Sequence, residues 1–533
     1  MKKSLCVLMA IFAVALAVRL YPTATSGMPF SVDAWPLIKN TELLTQNTPT
    51  PIASGVFDGY NNYWPGSQLF GAVLSQITGL SPVVAMAWGV PVAAALAIPL
   101  FYLLVKRVTQ NQSISLAAAL LLATAFPYAL FTAGVTKETI ASPLYLSVLL
   151  IFMLRHNWKT AALFSIAGVG LILTHHLTAF FAIMIVAGFT VASTISKASS
   201  VNSLRSNLAF FAILSAFTAF YFAFFAYPAF NLTLTPSNVL SLGAYQVLLV
   251  ALCVYFAYAA KPFSFKKTLT YCAAWLLTFS LFILLATQVP LLPGAPALPP
   301  RYFLYALPLL AGMPLIIYAF KTLQQRASSL LIPFLWAVAI ASFSCFALFS
   351  NPPDGVGLFY RSMNFLLAPF AFLVALGLYR LAADGQRVFR RLSTFSAVAL
   401  VVCMASVGVY SVYAAVSLEE PYFGYFWRYE PSEVQAGSWV AAVAVNQTLA
   451  GDSKVRYLLN GYFNQSVSIG DGYKFLDGDG SPPELLYVYR QMYRNGYVLY
   501  QGSPVALPAN WSEKLADYNQ VYGNSEVTIY AKQ

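Results

Sequence analysis

Thirteen apolar runs, each about the length needed to cross a bilayer, alternate along this chain with short polar loops. Spanning the hydrocarbon core takes roughly 17–25 apolar residues in a helix. The runs fall at about 4–21, 82–105, 113–133, 138–154, 160–174, 176–195, 208–230, 238–259, 269–289, 302–320, 329–350, 363–380 and 393–416. Only 9% of the 533 residues are charged and 59% are hydrophobic, whereas a soluble domain carries roughly 25% charged residues. The pattern predicts an all-α polytopic membrane bundle of about thirteen transmembrane helices. The formal charge of +12 sits mostly in the short loops. That is the pattern of a topology signal, and nucleic acid is excluded as a partner.

Orientation follows from the basic residues. With Lys2 and Lys3 inside, alternate loops carry Lys106/Arg107, Arg155/Lys159, Lys197/Arg205, Lys261/Lys266/Lys267, Lys321/Arg326 and Arg380/Arg387/Arg390/Arg391. The opposite loops hold single basic residues: Lys39, Lys137, Arg301 and Arg361. This satisfies the positive-inside rule with a cytoplasmic N-terminus. The N-terminal "MKKSLCVLMAIFAVALAVRLYP" is read as a retained first helix rather than a signal peptide, since no small-x-small cleavage site precedes Pro22. The external loop 22–81 and the region from 417 onward are then outside. So are the Asn-x-Ser/Thr triplets at Asn231, Asn446, Asn464 and Asn510, whereas the one at Asn111 falls inside. All five cysteines lie in apolar runs and are read as small core hydrophobes.

The chain divides into a membrane region, 1–416, and a small extracytoplasmic α/β region, 417–533. In the latter, "YEPSEVQAGSWVAAVAVNQ" reads as a helix starting near Pro431-Ser432. The stretches "KVRYLLNGYF", "GYVLYQGS" and "VTIYAKQ" read as strands. "GDGYKFLDGDG" lacks the spacing and closing Glu of a calcium loop and reads as a solvated turn. No nucleophile motif, metal spacing or phosphate loop is present there.

Chemistry is concentrated on the outer side. Asp33 lies about a dozen residues past the first helix in "FSVDAWPLIKNTELL", whose Phe30, Val32, Trp35, Leu37, Ile38, Leu43 and Leu44 suit an interfacial helix. Two readings are open. Asp33 is the N-cap of "AWPLIKNTELL", or it is a partly desolvated carboxylate whose raised pKa makes it a proton acceptor. Arg301 ("ALPPRYFLYALP") and Arg361 ("GVGLFYRSMNFLLAP") each stand alone at the outer end of a helix. They either snorkel to headgroups or hold a lipid phosphate through the planar guanidinium fork. In "GVTKETIASP", Lys137 and Glu138 open the fourth helix as a cap-dipole pair or as site charges. His175 and His176, in "LILTHHLTAFF", point about 100° apart on a helix and are poor joint ligands for one metal. One of them could bind a phosphate or relay a proton. Asp58 and Asp354 read as turn residues.

The external "DAW" followed by "YNNYWPGSQLFGAVLSQITGLSP" resembles the GT-C superfamily of membrane glycosyltransferases, which includes oligosaccharyltransferase catalytic subunits and protein mannosyltransferases. The resemblance covers about residues 1–200 plus the general layout. It implies a helical bundle with a variable C-terminal domain, a catalytic acid in the first external loop, and a sugar donor carried on a polyprenyl (dolichyl-type) phosphate. Asp33 then takes the catalytic position, and Glu138 is the candidate second carboxylate. Arg301, Arg361, Lys137, His175 and His176 are the candidates for donor-phosphate binding. The acceptor class, whether protein, lipid or glycan, stays open. The chain departs from the mannosyltransferases in having Asp33-Ala34 where they carry Asp-Glu. It also lacks the Trp-Trp-Asp-Tyr-Gly motif of the oligosaccharyltransferases, offering only "YFWRYE". A divalent metal is therefore possible without a clear motif behind it. A ligase or polymerase of O-antigen type, and a multi-pass transporter, are the alternatives. The first expects its large external loop late in the chain, and the second expects charges at mid-span and repeated halves.

The register has a direct test. Cysteine at Ser481 should react with an impermeant thiol reagent added to sealed cells, whereas cysteine at Ser264 should stay protected. Labelling at Ser264 would invert the topology.

Overall fold

A computed structural model describes residues 2–46, 59–196, 202–229, 235–261, 263–289, 297–326, 330–350, 352, 355–383, 390–417, 420, 424–444 and 447–533. The expected positions Asp58, Asp354, Asn231, Asn446, Lys197 and Arg387 lie outside these residues. Every expected span is helical over most of its described residues. In chain order the helices are α1 (Lys2–Ser26), α2 (Ala34–Gln46), α3 (Gly66–Thr78), α4 (Pro82–Ala95), α5 (Ala97–Thr109), α6 (Gln112–Thr124), α7 (Phe126–Phe131), α8 (Lys137–Phe152), α9 (Trp158–Thr174), α10 (His176–Ser196), α11 (Leu204–Tyr221), α12 (Pro236–Tyr258), α13 (Phe265–Ala286), α14 (Arg301–Arg326), α15 (Leu331–Phe349), α16 (Gly355–Ala383) and α17 (Arg390–Ser417).

Among the described residues, ten helical spans are long and apolar enough to cross a membrane. The α6 and α9 helices are shorter apolar ones. With sixteen residues, α8 reaches only about 24 Å at a rise of 1.5 Å per residue. The chain is a multi-pass membrane protein. Cys6 and Cys403, expected in the core, are instead exposed on helix surfaces, where the bilayer rather than protein would cover them.

The expected span 113–133 is two helices, α6 and α7, separated at Ala125. Pro127 is the reason. It has no N–H to give the Ala123 carbonyl four residues back. Arg19 of α1 supplies the missing donor: its Nη1 donates to the Ala123 carbonyl and to the Ala15 carbonyl, each at 3.2 Å. The guanidinium is fully buried and lies 5.3 Å from the Tyr128 ring centroid. Deeper in the bundle, Trp336 Nε1 of α15 donates to Tyr145 Oη of α8 at 2.8 Å, tying together two otherwise apolar helices.

The C-terminal region holds α18 (Pro431–Val443), β1 (Leu449–Ala450), α19 (Ser453–Gly461), β2 (Val467–Ser468), α20 (Ile469–Asp477), β3 (Leu485–Tyr489), α21 (Arg490–Asn495), β4 (Tyr497–Tyr500), β5 (Ser503–Ala506), β6 (Tyr518–Gly523) and β7 (Val527–Lys532). A mixed five-stranded sheet runs β2-β1-β3-β7-β6. β1 is parallel to β2 and β3, and β7 is antiparallel to both β3 and β6. β4 and β5 form a separate hairpin.

Two expectations are corrected. "KVRYLLNGYF" is not a strand but α19: the Asp452 carboxylate caps it by accepting from Val455 N at 3.0 Å, and Val455, Leu458 and Leu459 form its buried stripe. "GDGYKFLDGDG" is not a turn throughout but α20, capped by Ser468 and stopped at Gly478, whose φ is +112°. The expected strands at 497–500 and 527–532 are present.

A buried ion pair anchors this region. Lys454 Nζ lies 2.8 Å from Glu433 Oε1, with side chains 2% and 4% exposed. The same ammonium lies over the rings of Tyr425, Tyr429 and Tyr489 at 4.5, 4.9 and 4.9 Å. Lys454→Ala would strand the Glu433 carboxylate without its partner, at a cost of about 3–5 kcal/mol. Denaturant unfolding of the full chain should show that loss, and Lys454→Met with Glu433→Gln should recover most of it.

Candidate active site

The path into the site begins with a tight turn after α1. Gly27 has φ +70° and Ser31, a non-glycine residue, has φ +95°, a backbone conformation that is costly for a side chain with a Cβ. Two long-range hydrogen bonds hold the segment there. The Phe30 carbonyl accepts from Val135 N at 2.8 Å, and Ser31 N donates to the Trp427 carbonyl at 2.9 Å. The first bond comes from the loop before α8 and the second from the connector after α17. Phe30 adds an edge-on contact with Trp427 at 5.7 Å. Asp33 N then donates to Ser31 Oγ at 3.3 Å, and α2 starts one residue later.

The apolar face of α2 packs against protein. Trp35 is fully buried between Tyr429 and Tyr462, at 5.1 and 5.5 Å, and Tyr462 Oη donates to Glu42 Oε1 at 2.7 Å. The helix is clamped between the membrane bundle and the C-terminal region, so its apolar face is covered by protein instead of lipid.

Asp33 is not serving as a cap. Its carboxyl accepts no hydrogen bond from the first turn of α2 among the described residues. The third residue of that turn, Pro36, has no N–H to offer. The carboxyl is open to solvent on one side, while protein atoms crowd its other sides. Lost hydration holds its pKa above the ordinary Asp range; the Arg361 guanidinium, and less strongly the Lys137 ammonium, offset part of that rise.

Most of the residues singled out in the sequence converge here. Arg361 of α16 acts electrostatically on Asp33, Glu138, His175 and His176. Glu138 is buried in the first turn of α8, within reach of Asp33 and beside the Asn364 amide. Lys137 Nζ stands 4.0 Å from the Tyr60 ring centroid and 5.6 Å from that of Trp64. Tyr60 Oη lies 3.2 Å from His176 Nδ1, and the Trp64 and His176 rings pack at 4.7 Å. His175 does not share this position: it is buried, with Nδ1 2.7 Å from Thr178 Oγ1. The "YWPG" turn fits because Gly66 has no side chain. A Cβ there would come within 2.3 Å of Thr174 Oγ1, next to the histidine pair.

Arg301 is placed differently. It stands with Tyr305 and Glu420 at the start of α14, and it is Arg361 whose charge reaches Asp33. Among the described residues, no group of three His, Cys, Asp or Glu side chains could hold a metal ion. The two site carboxyls are accompanied by a guanidinium and an ammonium, and this donor set does not fit a divalent cation. Tyr60, Trp64 and Asn364 were not singled out from sequence. For Asn364 a signal existed, since three residues after Arg361 on a helix is the same face.

No protein-family model matches the sequence, and no curated protein matches it. Solved structures do match. The oligosaccharyltransferase of Archaeoglobus fulgidus, solved with a tethered acceptor peptide containing the NVT sequon, aligns with a TM-score of 0.58 at 14% identity, over 99% of this chain and 74% of that one. The structure of the same organism's AglB with an inhibitory peptide and a dolichol-phosphate gives 0.57 at 13% identity, over 99% and 74%. ArnT from Cupriavidus metallidurans, bound to undecaprenyl phosphate, gives 0.50 at 14% identity, over 98% and 97%. The chain has the fold of the GT-C glycosyltransferases.

The uncapped carboxylate generates a stability prediction. Replacing a true N-cap by Ala costs about 1 kcal/mol. Asp33→Ala should instead leave denaturant unfolding of the full chain within about 0.5 kcal/mol of the parent, and a cap-sized loss would restore the capping role.

Proposed function

We propose that this chain is a membrane glycosyltransferase that moves a sugar from a polyprenyl-phosphate carrier to an acceptor on the outer face. The membrane region 1–416 would hold the lipid, and the C-terminal region 417–533 would lie outside with the cytoplasmic N-terminus opposite. The observation that carries this reading is Asp33 itself: a solvent-open carboxylate, free of any capping bond, with a raised pKa and two cations nearby. The GT-C fold supports it, as do polyprenyl phosphates bound to two proteins of that fold.

The chemistry balances with these groups. Asp33 takes the proton from an acceptor hydroxyl as its oxygen bonds to the anomeric carbon of the sugar. The bond from that carbon to the carrier phosphate breaks, and its electron pair leaves with the phosphate. Arg361 and Lys137 face the negative charge that develops there, with hydrogen bonds of the charge-assisted kind. Tyr60 and Trp64 hold Lys137 by their ring faces, and His176 orients Tyr60. Glu138 faces Arg361 electrostatically, and the Asn364 amide holds the Glu138 carboxyl from the bundle side.

Asp33→Asn should fold and bind undecaprenyl phosphate but lose transfer by roughly 10²–10⁴-fold, the range for a general base. Full activity in that variant would remove Asp33 from the mechanism. Arg361→Gln tests the phosphate site and the electrostatics together. Binding of undecaprenyl phosphate should weaken by about 1.5–3 kcal/mol, the size of a charged hydrogen bond. The positive charge lowers the Asp33 pKa, so its loss raises that pKa. A base must be ionised, and the acid limb of the pH–rate profile should therefore move to higher pH.

A further inference from the structure

Beside Asp33, a cleft of about 1130 Å³ opens between α2 and the C-terminal region. Two cations line it, Lys39 and Arg456, and among the described residues no carboxylate does. Four carboxamides, Asn40, Asn460, Asn464 and Gln501, line it as well. The Asn40 side chain is 1% exposed, and its Nδ2 has no hydrogen-bond partner among the described residues. A buried donor left unmatched at a cleft wall has a cost that a ligand oxygen would relieve.

The walls are built rigidly. Asn464 and Gln501 hold left-handed backbone conformations, φ +56° and +51°, which side chains rarely adopt. The β4–β5 tip is tied to α19 by Gly502 N donating to Ser453 Oγ at 3.2 Å. At the base α19 approaches α2 so closely that a Cβ on Gly461 would meet Pro36 Cδ at 2.9 Å.

The cleft connects to the site through Tyr457, another lining residue. Its hydroxyl is within electrostatic reach of Asp33, Arg456 and Arg361, and its ring, 40% exposed, stands edge-on to Phe426. A molecule lying along the cleft would thus present one end to Asp33.

We propose that this cleft is the acceptor site and that the acceptor is an anionic oligosaccharide; the acceptor role rests on the transferase reading above. Carboxamides both donate and accept, which matches sugar hydroxyls, and an exposed tyrosine face suits the C–H face of a pyranose ring. Lys39 and Arg456 supply the positive charge that a uronate needs, Arg456 with a fork matched to carboxylate. The apolar residues of the lining, Pro36, Leu43, Phe426 and Ile469, are outnumbered by its carboxamides and cations together, which favours a glycan over a peptide.

The test uses the full chain in detergent, titrated with an oligogalacturonate, with maltohexaose and with hexaglutamate. Oligogalacturonate should bind, weaken as salt is raised, and lose at least about tenfold in Lys39→Ala/Arg456→Ala, the loss of one charged hydrogen bond or more. Arg456→Glu should abolish binding. Absence of oligogalacturonate binding, or unchanged binding in the double variant, overturns the proposal. Equal binding of maltohexaose removes the anionic requirement, and equal binding of hexaglutamate makes the ligand a peptide; either result overturns it. Undecaprenyl phosphate, titrated in parallel, separates the two readings. Its binding should be the same in parent and double variant. If the lipid binds and the glycan does not, only the acceptor proposal fails. If the glycan binds and the lipid does not, the transferase reading fails while the cleft keeps its ligand class.

Discussion

Two backbone hydrogen bonds, from Val135 to Phe30 and from Ser31 to Trp427, determine where the Asp33 carboxylate can be. They join three parts of the chain that are far apart in sequence: the exit of α1, the entry of α8 and the connector after α17. Each of those parts brings its own functional side chains. Once residues 30–33 are pinned, Lys137 and Glu138 sit two and three residues from one anchor. The connector that carries the other anchor leads into α18 and α19, which cover α2 from above. The positive φ of Ser31 is the local cost of this arrangement.

Charge then organises the rest. Two carboxyls, a guanidinium and an ammonium stand within reach of one another at the outer end of the bundle, in a chain where charge is scarce. In such surroundings a partial desolvation raises the proton affinity of a carboxylate, and nearby cations restrain that rise. The balance leaves Asp33 responsive to its neighbours. The aromatic rings of Tyr60 and Trp64 lie against the ammonium of Lys137 and leave its charge in place.

The bundle was legible in the sequence because lipid imposes a simple rule: a spanning segment must satisfy its own backbone and show apolar side chains outward. That rule gave the apolar spans and missed the breaks at Leu96 and at Ala125, where Pro127 acts locally. The site was legible by residue type but not by arrangement. Arg301 and Arg361 look alike as lone cations at helix ends. Only tertiary packing sends the second to Asp33 and the first to Tyr305 and Glu420. The cap reading of Asp33 could have been weakened from sequence alone, because Pro36 lacks the N–H a cap would use. The α19 segment was misread because β-favouring Tyr and Val hid a 3.6-residue spacing behind Asp452, and with it went Arg456 and Tyr457. Nothing local marks a cleft formed between α2 and residues more than four hundred positions later.

Arg19 has a consequence for how the protein is made. Its guanidinium sits inside the first helix, and one of its two carbonyl partners lies 104 residues downstream. An arginine at the centre of a lone helix in lipid costs roughly 2.5–3.5 kcal/mol, and Arg19, near the outer end of its run, costs less because it reaches the headgroups. At roughly 5–20 residues per second, about 5–20 s of synthesis separate the two partners. Through that interval the Arg19 guanidinium has the Ala15 carbonyl of its own helix and the headgroups as partners. It settles only when α6 arrives with the carbonyl that Pro127 left unmatched, so the proline that breaks one helix provides the docking point that commits another.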